Sequence, residues 1–460
     1  MTTQRVRRGV TILICAPIVL AASGACGSEP ATGSAPAPAP ADCINVVNES
    51  GSKTDECLPV APDGERVDLG TPVFSTPTPI TNPLHPTSEV TQVIMGGHVD
   101  DKPFRTEVTL LPGTKPIQWR GTTTETAIIQ YVAYLDGRIH EVALDWYAQA
   151  DDGSVWYFGE DVFNLEDGKV ADTKGTWIAN DQTPPAMIMP AQPAVDNVYR
   201  PENAPEVVFE EVRVQKVDQT VPGPGGNVSG AIEVMELHMD GAREAKIFAP
   251  GYGEFSTGNP DGDLEAVSLA VPTDSRRGLA PAEFVALSGT AAGVFDAVSA
   301  ADVGRATQAA TSLAAAWDAV LTKGIPPQLK TQMTVDVDAL DSALGGSDWQ
   351  AAQSAALRIA QNELDLRLLY QPVIEVDLTK LALWARQLPV DVAADDAGFV
   401  LADVAALERI WERTRHGVQA PAAVDGAMQE LRQAADAEDL PAVDRAAAVL
   451  TQAVAGLRAR

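Results

Sequence analysis

The composition of this chain changes near residue 275, and no single domain class accommodates both sides. Residues 72–275 are rich in Val, Thr, Trp, Tyr, Gly and Pro, whereas residues 280–460 are rich in Ala, Leu, Asp, Gln and Arg. β-branched and aromatic side chains suit a pleated strand, and Ala, Leu, Gln and Arg favour helix. The sequence therefore predicts an α+β protein of two domains. An antiparallel β-meander or sandwich-like domain comes first, and an all-α bundle of helical hairpins follows.

Turn residues organise the first half. Asp136-Gly137, Asp152-Gly153 and Asp167-Gly168 recur along it, and Asp-Gly supports the positive φ angles that tight hairpins need. Strands are expected over 126–135, 138–149, 154–161 and 170–179. In the second of these, His140, Val142, Leu144, Trp146 and Ala148 share one face, and Ile139, Glu141, Ala143, Asp145 and Tyr147 share the other. In the third, Trp156 and Phe158 oppose Val155 and Tyr157. Both faces thus carry large apolar groups, whereas an antiparallel sheet commonly wets one of them. The second face needs a cover: another sheet, the helical half or a ligand.

The second half repeats. Asp302, Asp348, Asp395-Asp396 and Asp439 each precede a helical stripe of small residues, such as Ala306, Ala309 and Ala310 after Asp302. Each Asp is suited to cap a helix start by accepting from its free amides. A period of about 45 residues reads as four helical hairpins, eight helices in all. Trp317, Trp349, Leu357, Leu369, Trp384, Leu407 and Trp411 are the large anchors, and Pro389 is expected to kink or break the helix that holds Trp384.

The N-terminus has the order of an export signal, with Arg5, Arg7 and Arg8, an apolar run from Val10 to Ala22, then Ser23-Gly24-Ala25-Cys26. The apolar run falls short of the roughly 20 residues that span a bilayer. The closing cysteine resembles the lipobox of bacterial lipoproteins, which implies removal of residues 1–25 and lipid attachment at Cys26. The expected location is the outer face of the cytoplasmic membrane. Residues 26–71 then form a tether, whose Ala35-Pro36-Ala37-Pro38-Ala39-Pro40 run favours an extended spacer. Of four cysteines, Cys15 leaves with the signal and Cys26 takes the lipid, so Cys43 and Cys57 are expected to pair outside the cell. Closing so short a loop constrains the unfolded chain by about 3 kcal/mol.

A net charge of −30, from 33 basic and 63 acidic residues, argues against nucleic acid as a partner. No nucleophile elbow, phosphate-binding loop or zinc-protease helix is present: Leu144 stands where a second histidine would follow His140-Glu141. Five histidines show no ligand spacing. Glu412 and His416, four apart on a helix, would need a partner pair to hold a metal. The sequence therefore points to no metal site, no cofactor and no catalytic residue. Asp145, Glu160 and Asp161 could form a carboxylate cluster for acid–base chemistry on a glycan.

The segments Asp145-Trp146-Tyr147-Ala148-Gln149 and Gly153-Ser154-Val155-Trp156-Tyr157-Phe158-Gly159-Glu160-Asp161 resemble a signature of uncharacterised lipoproteins and secreted proteins of high-GC Gram-positive bacteria. Further pieces are Asn82-Pro83, Gly175-Thr176-Trp177, Ile188-Met189-Pro190-Ala191, Tyr199-Arg200 and Phe248-Ala249-Pro250-Gly251-Tyr252-Gly253. The chain departs from the pattern after Asn82-Pro83, where Leu84, His85 and Val93 replace aromatic residues. The resemblance spans about residues 80–270 and carries no activity or ligand. Trp146, Tyr147, Trp156, Tyr157 and Phe158 are the candidate ligand face, with sheet core as the competing role. The function expected is a non-enzymatic binding or interaction module on the envelope, its partner an envelope protein. The alternative is a carrier for a small hydrophobic molecule, and a glycan hydrolase stands third.

Overall fold

A computed structural model describes residues 42–47, 51–75, 79–205, 207–258 and 262–460. The signal 1–25, Cys26 and the tether as far as residue 41 lie outside the described residues. The first elements, β1 (Cys43–Val47) and β2 (Lys53–Pro59), pair as an antiparallel hairpin closed by the Cys43–Cys57 disulfide, with the two Cα atoms 5.5 Å apart.

The β half is one antiparallel sheet of 14 strands. In chain order they are β3 (Gln92–Val99), β4 (Lys102–Trp119), β5 (Thr122–Leu135), β6 (Arg138–Gln149), β7 (Val155–Glu166), β8 (Lys169–Asp172) and β9 (Trp177–Ile178). Then come β10 (Ala186–Met189), β11 (Val198–Ala204), β12 (Val208–Gly223), β13 (Gly226–His238), β14 (Arg243–Ala249), β15 (Gly253–Gly258) and β16 (Leu264–Val271). The spatial order runs β10-β7-β6-β5-β4-β3-β16-β15-β14-β13-β12-β11, with β8 and β9 paired to β7. The terminal strands β10 and β11 are also packed together, so the sheet curls round to meet itself. Curvature thus supplies the second layer that the two-faced strands demand. Asp136-Gly137 and Asp167-Gly168 both take positive φ and turn β5 into β6 and β7 into β8. Gly159, at φ 120°, lets β9 pair closely with β7: a Cβ there would lie 2.3 Å from the Trp177 carbonyl oxygen.

The helical half holds α1 (Ala282–Ser299), α2 (Val303–Leu321), α3 (Pro327–Gly346), α4 (Trp349–Arg367), α5 (Val373–Ala393), α6 (Ala397–Thr414), α7 (Ala422–Asp436) and α8 (Leu440–Ala455). Successive helices pack as four hairpins, and α1 also packs on α4 and α5 on α8. Asp302, Asp348, Asp396 and Asp439 cap α2, α4, α6 and α8, each accepting from the amide three residues on. The residue before each cap, Ala301, Ser347, Asp395 or Glu438, takes a left-handed φ between 50 and 57°. One turn geometry therefore recurs four times. Pro389 does not break α5. It stands exposed, so the helix keeps its packing at the loss of a ladder hydrogen bond.

The helices cover the outer face of the sheet on the side of β3 to β8 and β16. Ile94, Val132, Tyr134, Val142 and Leu269 share a buried core with Trp317, Leu357, Trp384 and Leu407. Inside that contact lies a charge network. Arg105 forks onto Asp365 (2.6 Å) and reaches Glu107 (2.6 Å). Lys380 meets Glu107 at 2.7 Å, and Arg413 meets Glu107 at 2.5 Å and forks onto Asp377. Three cations face three anions, all buried. Burial opposes the Glu107 charge, but Arg413, Lys380 and Arg105 outweigh it and hold that carboxyl well below its usual range.

Candidate functional site

Alternation along the strands sorts the sheet into two environments. Outward residues such as Ile94, Glu107, Gln130 and Val132 meet the helices. Their neighbours Val93, Met95, Val108, Leu110, Ile129 and Tyr131 point inward and line a chamber. It has two adjoining spaces of about 210 and about 280 Å³ that share Tyr131, Glu210, Lys246, Glu254 and Glu265. A larger groove of about 640 Å³ adjoins the chamber at Leu110 and Tyr147 and is lined by Phe74, Ser75, Pro79 and Ile80 and by the ends of β4, β5 and β6, with Glu125 among its residues.

The chamber is apolar at one end and acidic at the other. The apolar end is built from Val90, Val93, Met95, Ile129, Phe248 and Tyr252, with His85 above them. Burial pushes the His85 imidazole down to about 4, so at neutral pH it is uncharged. The acidic end is built by β6 and by β12 to β16, which place Glu141, Glu210, Glu236, Glu244, Glu254 and Glu265 around Lys246 and His238. Cross-strand register makes this cluster: Glu210 lies opposite His238, and Glu236 opposite Glu244.

The charges partly pair. Lys246 Nζ is 2.5 Å from Glu236, and His238 lies 3.4 Å from Glu210 and 3.6 Å from Glu244. Burial works against charge on His238, but bonds to Glu210 and Glu244 prevail and push it up to about 11. Glu210 and Glu236 titrate as a pair. Burial would raise Glu210, yet His238 and Lys246 bring it down to about 2. Burial and the Glu210 charge push Glu236 up to about 8. Glu265, hydrogen-bonded by Thr106, is pushed up to about 8 by burial and then by Glu254, and Glu141 rises to about 7 by burial and then by Asp145. Tyr199 is fully buried, lines the same chamber, and its hydroxyl has no hydrogen-bond partner.

The five aromatic candidates divide by strand parity. Tyr147 lines the chamber, stacked on Tyr157 (4.6 Å) and met edge-on by His85 (4.8 Å). Tyr157 donates to Asp145 at 3.0 Å. Trp146, Trp156 and Phe158 are buried in an apolar cluster with Ile80, Leu84, Trp177 and Met189, outside the residues that line the chamber. Lys115 caps the Trp146 ring at 3.1 Å, and Trp156 donates to Ser154.

Asp145 and Glu160 are cross-strand partners. Burial pushes Asp145 up to about 7 against its bond from Tyr157, and burial with the Asp145 charge raises Glu160 well above its usual range. Asp145 lines the chamber, while Glu160 lies behind it beside Glu202. Asp161 is half exposed near Lys115, so the three expected carboxylates do not converge.

Residues 82–83, Gln149, Gly153, Pro190 and Gly251 are tied together by hydrogen bonds. Gln149 accepts from the amides of Thr81 and Asn82. Asn82 in turn donates to the carbonyls of Gly153 and Pro190, both at 3.1 Å, and Gly251 donates to the Pro83 carbonyl. Of Leu84, His85 and Val93, the last two line the apolar end of the chamber, and Leu84 is buried.

No family model matches the chain, and no curated protein or solved structure matches it at a significant level.

Metal chemistry has one geometric candidate among the described residues. Glu210, Glu236 and His238 bring ligand atoms within 4.8 Å of one another, a cluster that the sequence reading did not anticipate. Lys246 stands 2.5 Å from Glu236 within this cluster, and a metal there would have to displace the proton that His238 shares with Glu210 and Glu244. Glu412 pairs with Arg409 and accepts from Gln130, and His416 lies past α6 in the turn Arg415–Gly417.

Proposed function

We propose that the chain is a lipid-anchored, non-catalytic binding protein of the bacterial envelope whose β domain carries a small amphipathic molecule. The observation that carries this reading is the chamber itself: a concavity lined by the inner face of the curled sheet, apolar at the His85 end and acidic at the His238 end. Such a concave, mostly apolar space with a few convergent polar groups is what ligand sites present. The helices support the reading by packing on the outer face of β3, β4, β6 and β16, the strands whose inner residues line the chamber. Of the readings open to the sequence, the carrier gains most from this arrangement, because the interaction-module reading gives the chamber no role.

Native mass spectrometry of the full protein from its own host tests the proposal. A small molecule should co-purify, and Val108→Trp, which fills the chamber, should release it while the far-ultraviolet circular dichroism is unchanged. Protein that emerges empty, with no host extract able to load it, would refute the carrier. Replacing Cys26 by Ser should move the protein from the membrane fraction to the soluble fraction, and retention in the membrane would refute the anchor.

A further inference from the structure

Strand parity joins the chamber and the groove beside it into one surface. On β5 the inward residues Tyr131 and Ile129 line the chamber, and Ala127, Glu125 and Thr123, at two-residue steps along the same face, line the groove. β4 and β6 repeat the pattern. Leu110 and Tyr147 belong to both spaces, with Val108 and Asp145 on the chamber side and Thr114 and Gln149 on the groove side. At a rise of about 3.4 Å per residue, the stretch of β5 from Tyr131 to Thr123 makes a trough about 27 Å long. The two spaces meet at a bulge. β4 pairs Leu110 with Ile129 and next Thr114 with Ala127, so Leu111, Pro112 and Gly113 leave the ladder, and all three stand in the groove wall. Phe74, Pro79, Ile80, Leu110, Leu111 and Ala127 give that wall an apolar surface, and Glu125 in it already accepts from Thr114.

We infer that the guest is a lipid with a long unbranched hydrocarbon chain, which starts in the chamber among Val93, Met95 and Phe248 and continues past Leu110 and Tyr147 into the groove over Ala127. This rests on the carrier reading and names its ligand class. The apolar space of the chamber, about 210 Å³, is smaller than the groove, about 640 Å³, so a compact guest held in the chamber would leave the greater part of the trough to water. A narrow chain follows both spaces. Each methylene moved from water onto an apolar wall is worth about fourfold in affinity, so the trough selects by chain length.

Displacement of the uncharged fluorophore N-phenylnaphthylamine from the full chain by decanol and by hexadecanol, which share one head and differ in tail, tests the inference. Hexadecanol should bind about a hundredfold more tightly than decanol. Ala127→Trp, which fills the groove beside Tyr147 on the neighbouring strand, should bring hexadecanol to the level of decanol and leave decanol unchanged. Thr123→Trp, at an exposed position farther along the groove, serves the same test if the first variant misfolds. Equal affinity of the two alcohols, or a chain-length advantage that survives both substitutions, would overturn the long chain and leave the carrier standing. If neither the fluorophore nor either alcohol binds, the carrier reading falls and the inference with it.

Discussion

Replacing Arg413 by Met should show how much of the molecule depends on the buried charges between sheet and helices. Arg413 forks onto Asp377 at 2.6 and 2.8 Å and meets Glu107 at 2.5 Å, with all three side chains at most 2% exposed. After the change, Glu107 keeps Lys380 at 2.7 Å and Arg105 at 2.6 Å, but the Asp377 carboxylate loses both bonds of its fork. A buried charge stripped of its partner costs about 3–5 kcal/mol, against a total stability of about 5–15 kcal/mol for a domain. The double change Arg413→Met with Asp377→Leu removes the stranded charge and should recover most of that loss. Guanidinium unfolding, followed by helical circular dichroism and by near-ultraviolet signals from the β-domain aromatics, measures both. The depressed Glu107 pKa also fixes a sign. Its contribution is present above the unfolded value near 4.5 and fades only as pH falls through the much lower folded value, so the wild-type contact should survive mild acid. A single-variant cost below about 1 kcal/mol would refute this account, because a loss that small belongs to solvated surface pairs.

Alkaline pH should act on the chamber in the opposite sense. Glu141, Glu236 and Glu265 have folded values raised to about 7, about 8 and about 8, and His238 is raised to about 11, so between pH 6 and 9 the folded state holds more protons than the unfolded one. Stability must then fall across that range, and a Tm that rises from pH 6 to 9 would contradict the buried cluster. Asp396→Ala removes the cap on the Phe399 amide and should cost about 1 kcal/mol, whereas Asp395→Gly relieves a left-handed φ of 57° and should be neutral or slightly stabilising, as thermal melts would show. Asn82→Ala leaves the Gly153 and Pro190 carbonyls without their donor and should cost about 2 kcal/mol. Limited proteolysis should then cut near residue 85, and an unchanged cleavage pattern would mean that Asn82 does not hold this loop.

The fold was largely legible because its signals are local. A cap and the stripe after it sit within one helix turn or two, so Asp302, Asp348 and Asp439 announce their helices. At Asp395-Asp396 two equivalent side chains compete, and only the backbone shows that the first takes the left-handed turn and the second the cap. Strand parity likewise put Glu141, Asp145 and Tyr147 on one face. The acidic end was hidden by the same rule. Glu236 and His238 alternate with apolar neighbours on β13, as do Glu244 and Lys246 on β14, and charge on one face of an antiparallel strand ordinarily marks solvent. Only closure of the sheet turns that face inward, and closure depends on pairings such as Leu264 with His98, far apart in the chain. The Trp146, Trp156 and Phe158 side chains illustrate the converse, since large aromatics mark burial without saying whether a guest or the protein buries them.

The disulfide-closed hairpin gives the molecule an orientation. Val46 and Leu58 pack on Leu237, and the Val47 amide donates to the Met239 carbonyl, beside the turn that joins β13 to β14. That turn is the rim from which Glu236, His238 and Glu244 descend, and the His85 loop closes the far end. At the other end of the hairpin the Asp42 carbonyl accepts from the Val60 amide, and the Ala61 amide donates to Glu211. Under the anchoring proposed above, any pull on the tether would reach the β domain through this hairpin and be borne by its contacts with Leu237 and Met239.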